Sequence, residues 1–89
     1  MTATTSQQEV RPGQIWADND PRAEGRTIRV DAIEDGKALC TVLTNRNTAQ
    51  EHLDKNSPWF ADRRGKPTRI SLARFRPTNT GYRLVQEAS

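Results

Sequence analysis

Residues 26–45 read RTIRVDAIEDGKALCTVLTN, two alternating apolar and polar runs hinged on Asp35 and Gly36. Ile28, Val30 and Ala32 fall on one face of the first run, with Arg29 and Asp31 on the other, which is the period of a half-buried strand. An Asp-Gly pair between two such runs is a strong hairpin signal, because the favoured two-residue turn needs positive φ at both central positions. Folding about that turn places Ile33 opposite Ala38, Ala32 opposite Leu39, Val30 opposite Thr41 and Ile28 opposite Leu43. Arg29 then lies across from Val42, and Asp31 across from Cys40.

Further strands are expected on both sides of the hairpin. Upstream, RPGQIWADNDPR (11–22) opens with a turn at Pro12 and Gly13 and continues through Ile15 and Trp16 as a short first strand. DNDP ends it, since Asp and Asn bond their own backbone and Asp20 precedes a helix-disfavouring proline. The spacing of Asp18 and Asp20 also admits a cation site. A calcium loop, however, needs more oxygen ligands and a later Glu at fixed spacing, so turn chemistry is the better account. Downstream, PTRISLARFRP (67–77) resumes alternation, with Ile70 and Leu72 against Arg69 and Ser71. LARF suits one tight helical turn. After the turn residues TNTG, a last strand sets Tyr82 and Leu84 against Arg83 and Val85.

The intervening 44–67 insert breaks the β pattern. Thr48 and Glu51 fit a capping box for a helix over AQEHLDK, and Ser57 with Pro58 fits the start of a second short helix with Gly65 just past its end. An extended, irregular hairpin tip is the alternative. Taken together, the chain is expected to be all-β, a small SH3-like five-stranded barrel with one or two short helical turns in the 44–67 insert. Such a barrel limits exposed sheet edges in a domain too small for two full layers.

The chain has 89 residues, enough for one core, and the pattern assigns 10–86 to a single domain with polar tails at 1–9 and 87–89. Hydrophobic residues make up 33% and charged residues 28%, so the core is lean, and no apolar run is long enough to span a bilayer. The opening MTATTSQQE has neither the basic nor the apolar region of a secretion signal. Cys40 is the single cysteine, which excludes an internal disulfide and fits a reducing cytoplasm. In a strand it reads as a small buried hydrophobe. Trp16 reads as core.

RPGQIWADNDPRAEGRTIRV, continued by TRISLARF and GYRLV, resembles a set of small proteins of actinobacteria and their bacteriophages. The resemblance covers most of 10–86 apart from the insert. It implies an SH3-like fold, a bacterial or phage cytoplasmic setting and a regulatory role, and it carries no activity across. The opening RPGQIWADNDP is also similar to the first strand of MazF and PemK type toxin ribonucleases. There Gln14 stands where those have an acid, and Arg26 with Thr27 replaces their Arg-Pro, so the similarity speaks for fold and not for cleavage.

Charge is the main functional lead. Between 63 and 83 lie Arg63, Arg64, Lys66, Arg69, Arg74, Arg76 and Arg83 with no acidic residue, while the whole chain is only +3. The remainder is therefore net negative and the molecule two-ended, which favours encounter with polyanions. Nucleic-acid surfaces combine cations for phosphates with a planar group for bases, and PWFADRRGK supplies Trp59 beside Arg63, Arg64 and Lys66. Trp59 is equally suited to lid the core or to anchor a contact. These residues form the candidate rim for DNA or RNA. Two alternatives stand beside that reading: docking on an acidic host protein, and plain solvation of outward strand positions.

No cofactor or metal is expected, since His52 is the single histidine and has no cysteine near it for zinc. No nucleophile triad or phosphate-cradling glycine loop is present, so an enzyme is not expected. Metal-independent RNA cleavage by arginines and a hydroxyl is the one route open to test, at Arg26, Thr27, Arg29 and Thr44. An open edge strand would also permit a homodimer.

Overall fold

The computed structural model describes residues 9–56 and 61–88. It contains five antiparallel strands in one sheet: β1 (Ile15–Asp18), β2 (Thr27–Glu34), β3 (Lys37–Thr44), β4 (Pro67–Ser71) and β5 (Tyr82–Gln86), in the order β4-β3-β2-β1-β5. One helix, α1 (Asn47–Asp54), follows β3, and 3-10 turns occur at Pro21–Ala23 and Leu72–Arg74. The fold is mostly β, as the strand pattern predicts, and LARF forms its helical turn just before the last strand.

The sheet curls over a single core. Trp16 of β1, Ile28 and Val30 of β2, Cys40 and Val42 of β3, Ile70 of β4 and Tyr82 of β5 join one buried cluster, although β4 and β5 are the two edges. Phe75 sits at its centre with no exposed surface. Its ring meets Trp16 edge-on at 5.0 Å and stacks with Tyr82 at 5.4 Å. Aromatic contacts of this kind add about 0.5–1.5 kcal/mol each beyond area burial, a useful gain in a core this lean.

The central hairpin turns where the sequence places it, with Asp35 at φ 50° and Gly36 at φ 76°. Near the turn the register is as expected, Ile33 opposite Ala38 and Ala32 opposite Leu39. It then slips at Asp31, so that Val30 faces Cys40, Arg29 faces Thr41 and Ile28 faces Val42. The expected partners Thr41, Val42 and Leu43 are each displaced by one. A β-bulge is the cause: Asp31 is left unmatched, and its carboxylate accepts from Arg29 Nε at 2.8 Å and from the Thr41 hydroxyl. The slip flips which face of β3 is inside. Ala38, Cys40 and Val42 are buried, while Leu39, Thr41 and Leu43 are only partly covered.

α1 begins earlier than the capping-box reading has it. Asn47 is its first residue, Arg46 occupies the cap position, and no side chain caps the end. Thr48 and Glu51 lie inside the helix. The start is instead held by tertiary contact, with the Asn47 N–H donating to the Glu24 carbonyl at 2.6 Å. Gly25 permits this approach: it has φ +96°, and a Cβ there would lie 2.0 Å from Asn47 Oδ1. Of the second expected helix, Ser57 and Pro58 lie outside the described residues, and 61–66 form coil and a turn at Gly65 (φ 81°).

Both margins of the domain are fastened through Gln14, which is fully buried. Its Oε1 accepts from the Arg11 N–H at 2.7 Å and from Trp16 Nε1 at 3.0 Å. Its Nε2 donates to the Glu9 carbonyl at 3.0 Å and to Glu87 Oε1 at 2.8 Å. Glu9 and Glu87, which the sequence pattern assigns to the tails, are thus hydrogen-bonded to Gln14 while remaining exposed. No described helix is long and apolar enough to cross a membrane.

Candidate functional site

In this strand order, β1 and β3 finish at the same end of the sheet at which β2, β4 and β5 start. Residues remote in sequence are gathered there: Asp18 closing β1, Arg26 before β2, Asn45 and Arg46 after β3, Lys66 before β4, and Tyr82 and Arg83 opening β5. Between α1 and the 61–68 segment this end opens into a cleft of about 680 Å³. Its cations are Arg26, Arg46, Arg63 and Lys66, and its apolar lining includes Ala23, Val42, Ala49 and Pro67.

Asn45 is the bracket that builds the cleft. It is only 6% exposed, and its Nδ2 donates to Gln50 Oε1 of α1 at 2.9 Å and to Asp62 Oδ1 at 3.1 Å. Its Oδ1 accepts the Arg63 N–H at 2.9 Å. The turn is completed by Lys66 N–H to the Arg63 carbonyl at 3.0 Å, and joined to β3 by Gly65 N–H to the Val42 carbonyl at 2.8 Å. One amide therefore ties the end of β3, the helix and the basic turn together.

Arg26 is held from behind. Its Nη1 donates to Asp18 Oδ2 at 3.2 Å and to the Tyr82 hydroxyl at 2.6 Å. Burial raises the Tyr82 hydroxyl above its ordinary pKa of 10.0, against the opposing pull of Arg26, so the phenol stays neutral at physiological pH. Arg74 lies 5.7 Å and Arg26 5.9 Å from the centroid of the same ring. Asp18 and Asp20 perform turn chemistry: Asp18 Oδ1 accepts the Asp20 N–H at 3.0 Å, and Asp20 Oδ1 accepts the Arg22 N–H at 2.9 Å. The Arg22 side-chain bonds, followed by its backbone bond, hold the Asp20 carboxyl down at about 2.

The seven basic residues singled out by sequence do not behave as one rim. Arg63 and Lys66 line the cleft. Arg64 is engaged elsewhere, its Nε 3.0 Å from Asp62 Oδ1 and its Nη2 2.7 Å from Asp62 Oδ2. The Arg64 side chain, then Asn45, hold the Asp62 carboxyl far below the usual carboxylate range. Arg74 and Arg83 form a neighbouring patch at the same end, Arg74 donating to the Thr80 carbonyl at 3.0 Å and Arg83 to Asn19 Oδ1 at 2.8 Å. Arg69 projects from edge strand β4 opposite Leu39, outside the cleft, and Arg76 is exposed on the connection to β5. Trp59 lies outside the described residues. Among the described residues, none of Arg63, Lys66, Arg69, Arg74, Arg76 and Arg83 takes part in an ion pair.

The residues named for RNA cleavage are separated in role. Arg29 is paired with Asp31, whose carboxyl is lowered even though burial opposes it, because Thr41 and Arg29 bond to it. The Thr27 and Thr44 hydroxyls lie 2.7 Å apart, and Thr44 Oγ1 also donates to the Gly25 carbonyl at 2.6 Å. Arg26 alone of the four lines the cleft.

Asn45 and Arg46 were not singled out by sequence, and Asp18 was read only for turn chemistry or a cation site. Nothing in a single polar residue at a strand end marks it as a bracket, and Asp18 looks like any turn former. Comparison of the chain with protein-family models, with curated proteins and with solved structures returns no match in any of the three.

Proposed function

We propose that this domain is a non-enzymatic, SH3-like binding module that takes nucleic acid on its basic end, in a bacterial or phage-infected cytoplasm and in a regulatory role. The observation that carries this reading is the cleft in which Arg63 and Lys66 are exposed with no carboxylate partner among the described residues, while the nearby acids Asp18 and Asp62 are already bonded to Arg26 and Arg64. Arg74 and Arg83 extend the positive surface beside it, and Arg69 and Arg76 enlarge the field. Phosphates neutralised by such groups release condensed counterions, so affinity falls steeply with salt.

Titration of the protein against duplex and single-stranded DNA and RNA at two salt concentrations tests the reading. Binding at low salt that weakens with a slope of about 0.9 in log K per phosphate contact supports it. Absence of binding at low salt ends it. If a host protein is then retained from lysate after nuclease treatment, the same surface passes to an acidic protein partner.

A further inference from the structure

We infer that the cleft between α1 and the 61–68 segment is a single-nucleotide site, which lodges one unstacked nucleotide of a single strand and does not accept duplex. The inference rests on the nucleic-acid reading above and narrows it to a substrate class. Its volume of about 680 Å³ falls within the roughly 300–1,000 Å³ of small-molecule pockets. A convex phosphate ridge of a duplex needs cations on an open surface and has no use for a concave cleft with apolar groups in its lining. Here the lining includes apolar groups, Ala23, Ala61 and Pro67, with the nearly buried Val42 and Ala49 adding a small area. Its charge comes from Arg63 and Lys66, which make no ion pair among the described residues, while Arg26 lines it paired with Asp18.

The two kinds of surface match the two halves of a nucleotide. A splayed base packs on apolar side chains or on an arginine plane, and its phosphate takes the cations. Arg26 fits the stacking or bidentate role because Asp18 and Tyr82 both hold its Nη1, fixing the guanidinium before any ligand arrives. Arg46 and Ala49, at the start of α1, line the same cleft.

The test uses the full chain and three probes: a nucleoside monophosphate, inorganic phosphate, and an oligonucleotide offered single-stranded or as duplex. Binding is read by NMR shifts and by titration. Two charge-matched double variants are compared, Arg63→Ala with Lys66→Ala in the cleft, and Arg69→Ala with Arg76→Ala outside it, all at exposed positions. The expected result has the nucleotide shifting Asn45, Ala49 and Thr68, phosphate alone binding more weakly, and the single strand bound in preference to duplex. The cleft variant then loses single-strand affinity by roughly tenfold or more beyond the control variant. Equal losses in the two variants, equal binding of phosphate and nucleotide, or duplex bound as well as single strand would each overturn the single-nucleotide site while leaving nucleic-acid binding intact. No affinity for any nucleic acid at low salt removes both.

Discussion

Replacing Gln14 probes the physical logic of the fold most directly, because four hydrogen bonds converge on one fully buried amide. In Gln14→Leu the Arg11 N–H and the Glu9 carbonyl lie at an exposed margin and regain water at little cost. The Trp16 indole N–H cannot, since Trp16 has no exposed surface. An orphaned buried donor costs about 1–3 kcal/mol, so the variant is expected to lose about 2–3 kcal/mol once the severed strap to Glu87 is included. For a domain of this size that is a large part of total stability, which lies near the low end of roughly 5–15 kcal/mol. Gln14→Glu sharpens the test. It keeps an acceptor for Arg11 and Trp16 but sets a carboxylate against Glu87, where the native bond is 2.8 Å. Its stability should approach that of the native chain in acid and fall as pH rises and both groups ionise. Adding Glu87→Gln returns a donor to the opposite side of the bond. The swapped pair should recover roughly 0.5–3 kcal/mol at neutral pH as coupling between contacting residues. Urea unfolding followed by tryptophan fluorescence measures all four proteins. If the swapped pair is no more stable than Gln14→Glu alone, the Gln14 to Glu87 strap contributes nothing and the reasoning fails.

Three further outcomes are expected. Gly25→Ala should destabilise the domain by about 1–3 kcal/mol in thermal unfolding, because φ +96° is strained for any side chain and the new Cβ would lie 2.0 Å from Asn47 Oδ1; an unchanged Tm would show that the helix start is free to move aside. Burial pushes the Cys40 thiol from 9.0 up to about 11, so it should resist thiol reagents in the folded state. Its folded value is the raised one, so its contribution is intact below pH 9 and is lost as pH rises toward about 11, an effect of order 2 kcal/mol that should vanish from the pH profile of Cys40→Ala. Asp62→Asn should release Arg64 while sparing part of the Asn45 bracket, steepening the salt dependence of nucleic-acid binding by about one phosphate contact; an unaltered slope would place Arg64 away from the ligand.

Much of the architecture was legible because it depends on neighbours in the chain. The turn at Asp35 and Gly36, the termination of β1 at the DNDP stretch, the 3-10 turn in LARF and the core role of Trp16 all follow from local φ preference and alternation. The concentration of positive charge after residue 62 could be read in the same way. The helix start could not: its first N–H is taken by Glu24, a residue more than twenty positions away, and the local capping pair was left unused.

Sequence alone therefore determined the five strands, the tight hairpin and the excess of arginine, since each is a property of a few consecutive side chains. Tertiary structure decided which face of β3 is buried, because one unmatched residue at Asp31 inverts an alternation that both registers satisfy equally well near the turn. It also decided which cations share a cleft. Arg26, Arg63 and Lys66 meet because antiparallel order brings three strand ends together, and Arg64 is withdrawn because Asp62 lies within reach of its guanidinium. Distances across a folded sheet are set by register and packing, and neither is written in the spacing of residues along the chain.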